Sequence, residues 1–335
     1  MNRHRILIVG VGSIGERHLR CFQATGRADV FFCEVNAALR QQMSARYGVE
    51  GHASLEEGLI DGRPVTAAVI ATPAHLHVAM ARRCLAEGCH LLIEKPLSVT
   101  TEGVDELRGE VLHSGKLAAV AYVYRAHPAL AALRAALLEG RIGTPVEVVA
   151  VSGQHFPLYR PAYRTIYYRD RATGGGAVQD ALTHLINAAA WLVGPPDRLV
   201  ADIGHQVLEG IEVEDTVHVL TRHGQVMGSF SLNQHQAPNE TTLTVIGDRG
   251  TARFEYHHQR WRWQTAPDGT WQDEAFPDLQ RDSLFVYQAH QFLDAIERRE
   301  PPLCSLDEAI ATLAANQAIL QSAALRTWEE VRRGY

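Results

Sequence analysis

The chain has 335 residues, enough for two domains of ordinary size. Hydrophobic residues make up 46% and charged residues 21%, the balance of a globular protein, which excludes an extensively disordered chain. The 32 basic and 38 acidic side chains form no long run of one sign, which argues against a nucleic-acid footprint, and no apolar run is long enough for a membrane span.

In chain order, RILIVG predicts a buried strand, SIGERHLRCFQATG a helix closed by Gly26, DVFFCE a second strand and AALRQQMSARYG a second helix closed by Gly48. The alternation continues through TAAVIATP, LHVAMARRCLAEG, CHLLIEKP, a helix over about 101–114, and KLAAVAYVY. Strands and helices taking turns imply an α/β fold with a parallel, doubly wound sheet, so a Rossmann dinucleotide-binding domain is expected over residues 1–124.

Beyond Tyr124 the pattern changes. ALAALRAALLEG predicts a helix and PVEVVAVSG a strand; an Arg- and Tyr-rich stretch, 155–173, then leads into the helix GGGAVQDALTHLINAAAWLVG. From Arg198 to about Asp273 the strand runs RLVADIGHQVL, DTVHVLTR, QVMGSFSLNQ, TTLTVIG, GTARFEY and RWRWQT follow one another without helices. Such a run predicts an α+β domain with a large, mostly antiparallel open sheet over 125–335. Two helices close the chain, and the last, over 305–331, is expected to pack back on the first domain. The cysteines Cys21, Cys33, Cys84, Cys89 and Cys304 are odd in number and form no CxxC pair, and Ile6-Leu7-Ile8-Val9 is too short for a signal-peptide core. A soluble, cytoplasmic protein with reduced thiols is therefore expected.

Gly10-Val11-Gly12-Ser13-Ile14-Gly15 lies directly after a strand and opens a helix. In such a GxGxxG motif the first glycine permits the tight turn, the second lets a pyrophosphate approach the backbone and the third lets helix and strand pack closely, while the helix N-terminus at Ser13 and Ile14 faces the phosphates. Glu34 ends the second strand 19 residues after Gly15, where an acid binds the adenosine ribose hydroxyls. A carboxylate there repels the additional phosphate of NADP, and Val35 and Asn36 supply no arginine, so NAD is expected over NADP. Arg17 and Arg40 are the residues able to reverse that preference.

Further along, Ala71-Thr72-Pro73-Ala74-His75 follows a strand, and Ile93-Glu94-Lys95-Pro96 closes the next one at the sheet edge where ligands of open α/β folds bind. A lysine so placed also fits a plain surface loop. Asp180 and His184 stand four residues apart, which puts both on one helical face, although a solvated face has the same spacing. His75 with His77, or His257 with His258, invites a metal, but no further ligand completes a site and no metal is expected. His77 reads as an exposed residue at a helix start.

Taken in order, the GxGxxG motif, Ala71–His75, Glu94-Lys95-Pro96 and Gly174-Gly175-Gly176 followed by Asp180 and His184 resemble the Gfo/Idh/MocA family of oxidoreductases. The resemblance spans Ile6 to about Gly194, and the strand-rich remainder fits the family's second domain in kind. It implies a nicotinamide-dependent enzyme acting on a secondary hydroxyl or ketone of a sugar, cyclitol or nucleotide sugar. By the same resemblance Lys95, Asp180 and His184 take catalytic positions, and Ala71, Thr72, Pro73, His75, Glu94 and Lys95 join the glycine motif and Glu34 around the cofactor. Homodimers or homotetramers are implied too. Two departures stand out: Val123 lies in Tyr122-Val123-Tyr124-Arg125 where many members carry Asn or Gln, and Asn187 follows His184 where many carry Asp.

For hydride transfer from a secondary alcohol the protein must supply a base, and His184 is the first candidate because an unperturbed imidazole changes charge near neutral pH. Asp180 would orient the substrate or raise the basicity of the neighbouring site, and Lys95 would bind the same hydroxyl and stabilise developing alkoxide, or share the proton relay. The three glycines are expected to let the helix begin close to a bound ligand. Tyr124, Arg125, Arg160, Tyr163, Arg164 and Tyr167 are candidate substrate contacts. Because 155–173 carries Arg160, Arg164, Arg169 and Arg171 against Asp170 alone, an anionic sugar or nucleotide sugar is the expected ligand, while packing against another subunit fits the same residues. A glycoside hydrolase that retains NAD and uses transient oxidation, and a non-catalytic nucleotide sensor, are the alternative functions.

Overall fold

Strands buried on both faces need continuous apolar runs, and the first third of the chain supplies them. In the computed structural model, which describes residues 3–60 and 62–332, this region forms β1 (His4–Val9), α1 (Ser13–Ala24), β2 (Ala28–Cys33), α2 (Ala37–Tyr47), β3 (Gly51–His52), α3 (Leu55–Leu59), β4 (Ala67–Ile70), α4 (His77–Ala86), β5 (His90–Ile93), α5 (Val104–Ser114) and β6 (Ala118–Val120). The six strands pair in parallel in the order β3-β2-β1-β4-β5-β6. Strand order reverses between β1 and β4, so the loops leaving their C-terminal ends, at Gly10 and Ala71, flank the switch point where such sheets bind ligands.

The next part of the chain forms α6 (Pro128–Leu138), β7 (Pro145–Gly153), α7 (Phe156–Tyr159), α8 (Thr183–Val193), β8 (Arg198–Gly204), β9 (Thr216–His223), β10 (Val226–Asn233), β11 (Glu240–Gly247), β12 (Gly250–Glu255), β13 (Arg260–Gln264) and β14 (Gln272–Ala275). It is followed by α9 (Arg281–Arg298), α10 (Leu306–Leu325) and β15 (Glu329–Glu330). A nine-stranded sheet runs β14-β13-β12-β11-β7-β10-β9-β8-β15, antiparallel except where β10 pairs with β7. Along β9, Val217, Val219 and Thr221 are buried while His218 and Leu220 face out, the alternation of a sheet with one packed and one open face.

The chain divides into two compact units, residues 1–126 with 280–309, and residues 127–279 with 310–335. The later segment of the first unit, 280–309, holds α9 and the first four residues of α10. Phe292 of α9 meets Phe22 of α1 edge to face, and Asp282 accepts hydrogen bonds from Arg17 and Arg20. From Ile310 onward α10 belongs to the second unit, where Thr312 accepts from Asn187 and Asn316 donates to Thr183. These buried polar pairs fix α10 against α8, and they give Asn187 a packing role. Among the described residues, no helix is long and apolar enough to cross a membrane.

Candidate active site

The three motif glycines of the first unit are distinguished by what surrounds them. A Cβ on Gly10, whose φ is +84°, would lie 3.1 Å from the Thr72 methyl, and one on Gly15 would lie 1.9 Å from the Gly10 carbonyl oxygen. A Cβ on Gly12 would meet nothing within 4 Å. The turn and the helix packing are thus closed by protein, while the middle position opens outward. No side chain caps α1, so its first N–H groups are left for an external acceptor. A pyrophosphate fits both features.

Glu34 is fixed beside this loop by its neighbours' backbone: Val11 N–H donates to one carboxylate oxygen at 3.2 Å and Asn36 N–H to the other at 2.9 Å. Of the two arginines able to accommodate an additional phosphate, one is held away from Glu34 and the other lies beside it. Arg17 donates to Asp282 and stacks over Phe285, and Arg40 donates to the Glu34 carbonyl.

Lys95, half-buried, follows β5, and its turn is tied from two sides. Its N–H donates to the Glu94 carboxylate at 3.0 Å, whose other oxygen accepts from His18 Nε2 at 2.6 Å. Burial opposes ionisation of Glu94, but the His18 hydrogen bond and the charges of His18 and Lys95 outweigh it and hold the carboxyl below its ordinary range. Glu94 thus supports the Lys95 turn from inside the protein, being only 5% exposed. His77 ties the same turn from the other side. Contrary to the expectation of an exposed ring it is 1% exposed, with Nδ1 2.9 Å from the Pro96 carbonyl oxygen and Nε2 2.8 Å from that of Thr72. Pro73 and His75 are exposed on the loop that Thr72 belongs to, and Ala71 is buried at its start. Tyr124 is half-buried on the short turn Val123–Ala126. Arg125, expected as a substrate contact, is 2% exposed, and its guanidinium donates to the Leu303 carbonyl and the Glu308 carboxylate of the same unit.

In the second unit the helix carrying Asp180 and His184 opens as a π-turn, Val178–Leu182, before α8 begins. Such turns recur at functional sites because the wider ring displaces side chains that an α-helix would line up. Asp180 lies within it, 4% exposed, and accepts a 2.8 Å hydrogen bond from the Tyr167 hydroxyl. Tyr167 leaves 37% of its surface exposed, but its phenol end is enclosed, and burial followed by the Asp180 charge raises its pKa. The same Asp180 charge is the main cause that strengthens the proton affinity of Arg160. His184 is half-buried one turn further on.

Two of the three glycines before this turn are closed by protein, not by ligand space. A Cβ on Gly175 would lie 2.1 Å from the Tyr168 carbonyl oxygen, and one on Gly176, at φ +91°, would lie 2.4 Å from Glu214 Oε1. Glu214, 3% exposed, accepts from Val178 N–H at 3.1 Å and from Arg171 at 2.6 Å, so it caps the opening of the helix. Nothing in its sequence context beyond an acidic pair ahead of a strand marked it.

The arginine-rich segment finds acids outside its own stretch. Arg171 pairs with Glu214, Arg164 donates to the Glu209 carbonyl at 2.9 Å with its carboxylate 3.4 Å away, and Arg160 lies in the field of Asp180. Three of its four arginines, Arg160, Arg164 and Arg171, thus face acids from elsewhere in the unit, and Arg169 is exposed. Tyr163 is 2% exposed in a cluster with Phe156, Tyr168, Leu208, Ile211 and Val213, and its hydroxyl donates to the Glu209 carbonyl.

Residues 4–122 match the family model described as an oxidoreductase family with an NAD-binding Rossmann fold, and residues 130–253 match the GFO/IDH/MocA C-terminal domain. The chain is 24% identical to levoglucosan dehydrogenase of Pseudarthrobacter phenanthrenivorans, over 99% of each chain. It is also 24% identical to UDP-N-acetylglucosamine 3-dehydrogenase of Acidithiobacillus ferrooxidans, over 94% of this chain and 97% of that one. Its fold matches that of a levoglucosan dehydrogenase in complex with NADH with a TM-score of 0.90 at 22% identity, over 99% of this chain and 100% of that one. The motifs, the two sheets and the two consecutive family models agree: the chain belongs to the Gfo/Idh/MocA family of oxidoreductases.

Proposed function

We propose that the protein is an NAD-dependent dehydrogenase, or reductase in the reverse direction, acting on a secondary hydroxyl of a neutral sugar or cyclitol. The observation that carries the cofactor reading is the glycine loop open only at Gly12 with Glu34 fixed beside it. Bound nicotinamide would supply the hydride chemistry. The first unit would hold its pyrophosphate over Gly12 and its adenosine ribose on Glu34, and would contribute Lys95 as the cation that stabilises alkoxide charge. In the second unit His184 would take the hydroxyl proton on a ring nitrogen, and Asp180, steadied by Tyr167, would accept a substrate hydroxyl.

A neutral substrate is favoured over an anionic one because Arg160, Arg164 and Arg171 each have an acid of their own unit to answer. The relatives named for levoglucosan and for inositol are named for neutral molecules, which supports the same reading, while the relative named for UDP-N-acetylglucosamine is named for an anionic one. The test is a titration with NAD, NADH, NADP and NADPH, followed by turnover on neutral sugars, cyclitols, uronic acids and sugar phosphates read as net NADH. NADH formed in step with a neutral substrate is the expected result. Turnover confined to anionic sugars would sink the neutral assignment, binding of NADP(H) alone would sink the role of Glu34, and glycoside cleavage without net NADH would replace the dehydrogenase by a redox-neutral hydrolase.

A further inference from the structure

His77 is the first residue of α4, almost wholly buried, and both its ring nitrogens lie against backbone carbonyls of different loops. Nε2 faces the Thr72 oxygen in the loop after β4, and Nδ1 faces the Pro96 oxygen in the turn after β5. Each loop has its own bearing on the chemistry. The Thr72 methyl and the Ala71 carbonyl are what a Cβ on Gly10 would touch, so the first loop forms one wall of the glycine cradle. Pro96 follows Lys95, and the Lys95 N–H is already anchored on Glu94.

A carbonyl only accepts, so His77 must be the donor in either contact, and a neutral imidazole has one N–H for two acceptors. Burial is the largest cause and lowers the pKa of the ring, against the two carbonyls and the Glu94 charge, which favour the imidazolium that serves both. A buried histidine filling space would need one satisfied nitrogen and an apolar or donating neighbour at the other. This ring instead spans two carbonyls that belong to two loops with different tasks.

We infer that His77 is a positioning residue that couples the cofactor loop at Thr72 to the Lys95-Pro96 turn. The coupling rests on the proposed roles of the glycine cradle and of Lys95, but the bridge itself is testable without either. The side-chain amide nitrogen of Asn takes the place of Nδ1, and that of Gln takes the place of Nε2. His77→Asn thus keeps a donor for Pro96 and gives up the one for Thr72, and His77→Gln does the reverse; His77→Leu gives up both.

The decisive experiment is amide hydrogen exchange on the full chain without ligand, combined with NADH binding by fluorescence titration. For His77→Asn, faster exchange is expected in a peptide covering residues 70–76, with an NADH Kd weakened by about tenfold, the size of one lost hydrogen bond. For His77→Gln, faster exchange is expected over 94–100 with an NADH Kd within about twofold of the parent. With the neutral substrate that turns over best, kcat should fall about tenfold in His77→Gln and stay within about twofold in His77→Asn.

Equal exchange in both loops for the two variants would overturn the bridge, as would a His77→Leu protein with parental exchange and NADH affinity. If His77→Leu fails to fold, the Asn and Gln variants decide alone. Lys95→Ala separates the two levels: should it retain parental kcat, the role of Lys95 fails and the catalytic half of the coupling with it, while the exchange and NADH results still judge the bridge.

Discussion

The two glycine clusters of this chain are written alike and used for opposite ends. Around Gly10, Gly12 and Gly15 the protein closes over the first and third positions and leaves the middle one open; around Gly175 and Gly176 it closes over both, with the Tyr168 carbonyl on one and Glu214 on the other. An absent side chain admits whatever lies closest. In the first cluster one position is left open, with room for an external group, and in the second it is the protein's own loop and capping acid. Where the missing Cβ would point therefore separates a ligand cradle from a packing joint, and composition does not.

The sharpest way to break this comparison is to add a methyl at a closed position. Gly175→Ala and Gly15→Ala would each drive a Cβ to within 2.1 Å and 1.9 Å of a backbone oxygen, which cannot rotate away. Each should destabilise its own unit by about 3 kcal/mol or more, read as a lowered denaturation midpoint. A Gly175→Ala protein that unfolds like the parent would mean that the close approach to Tyr168 is not essential. The open position should behave differently. Gly12 has φ −61°, a value that alanine adopts freely, so Gly12→Ala should keep stability to within about 0.5 kcal/mol while NADH affinity falls at least about tenfold. Parental NADH binding in that variant would remove the pyrophosphate from above Gly12.

Glu34 extends the test from the cradle to its rim. Replacing it by Gln keeps the shape but removes the charge that repels an additional phosphate and weakens the bonds from Val11 and Asn36. NAD affinity should fall by about tenfold and the ratio of NADP to NAD affinity should rise, measured by paired titrations. An unchanged ratio would show that the carboxylate does not set the preference.

These contrasts also show what local pattern carries. The alternation of β1, α1, β2 and α2 was legible because buried parallel strands need unbroken apolar runs and because Gly26 and Gly48 close the helices between them. PVEVVAVSG coincides with β7 although that strand is only half-buried, with Val148 and Ala150 inside and Val146 and Val151 exposed. What stayed hidden depends on partners far along the chain. Glu214 lies 36 residues from the Val178 N–H that it caps, and Glu209 lies 45 from Arg164, so charge counted within the segment 155–173 could not see them. The π-turn at Asp180 changes the hydrogen-bond span without changing composition. His77 sits at a helix start, where pattern suggests exposure, and only the approach of two loops buries it.

The same closed joint leads to the smallest of the expected effects, a pH dependence at Asp215, next to the capping Glu214. Asp215 is fully buried and accepts the N–H groups of Gln206, Val207 and Leu208 and the hydroxyl of Thr216. Burial pushes its pKa up, but these four donors outweigh it and hold the carboxyl below its ordinary range. A folded value below the unfolded one means that the stabilisation is complete above about pH 4 and fades as the pH falls through the folded value. Asp215→Asn should thus cost about 1–2 kcal/mol at pH 7, where the charged acceptor is lost, and less at about pH 3, where the parent is losing it too. Urea midpoints of parent and variant should converge on acidification. A gap of the same size at both pH values would show that the site needs the shape of the carboxyl group and not its charge.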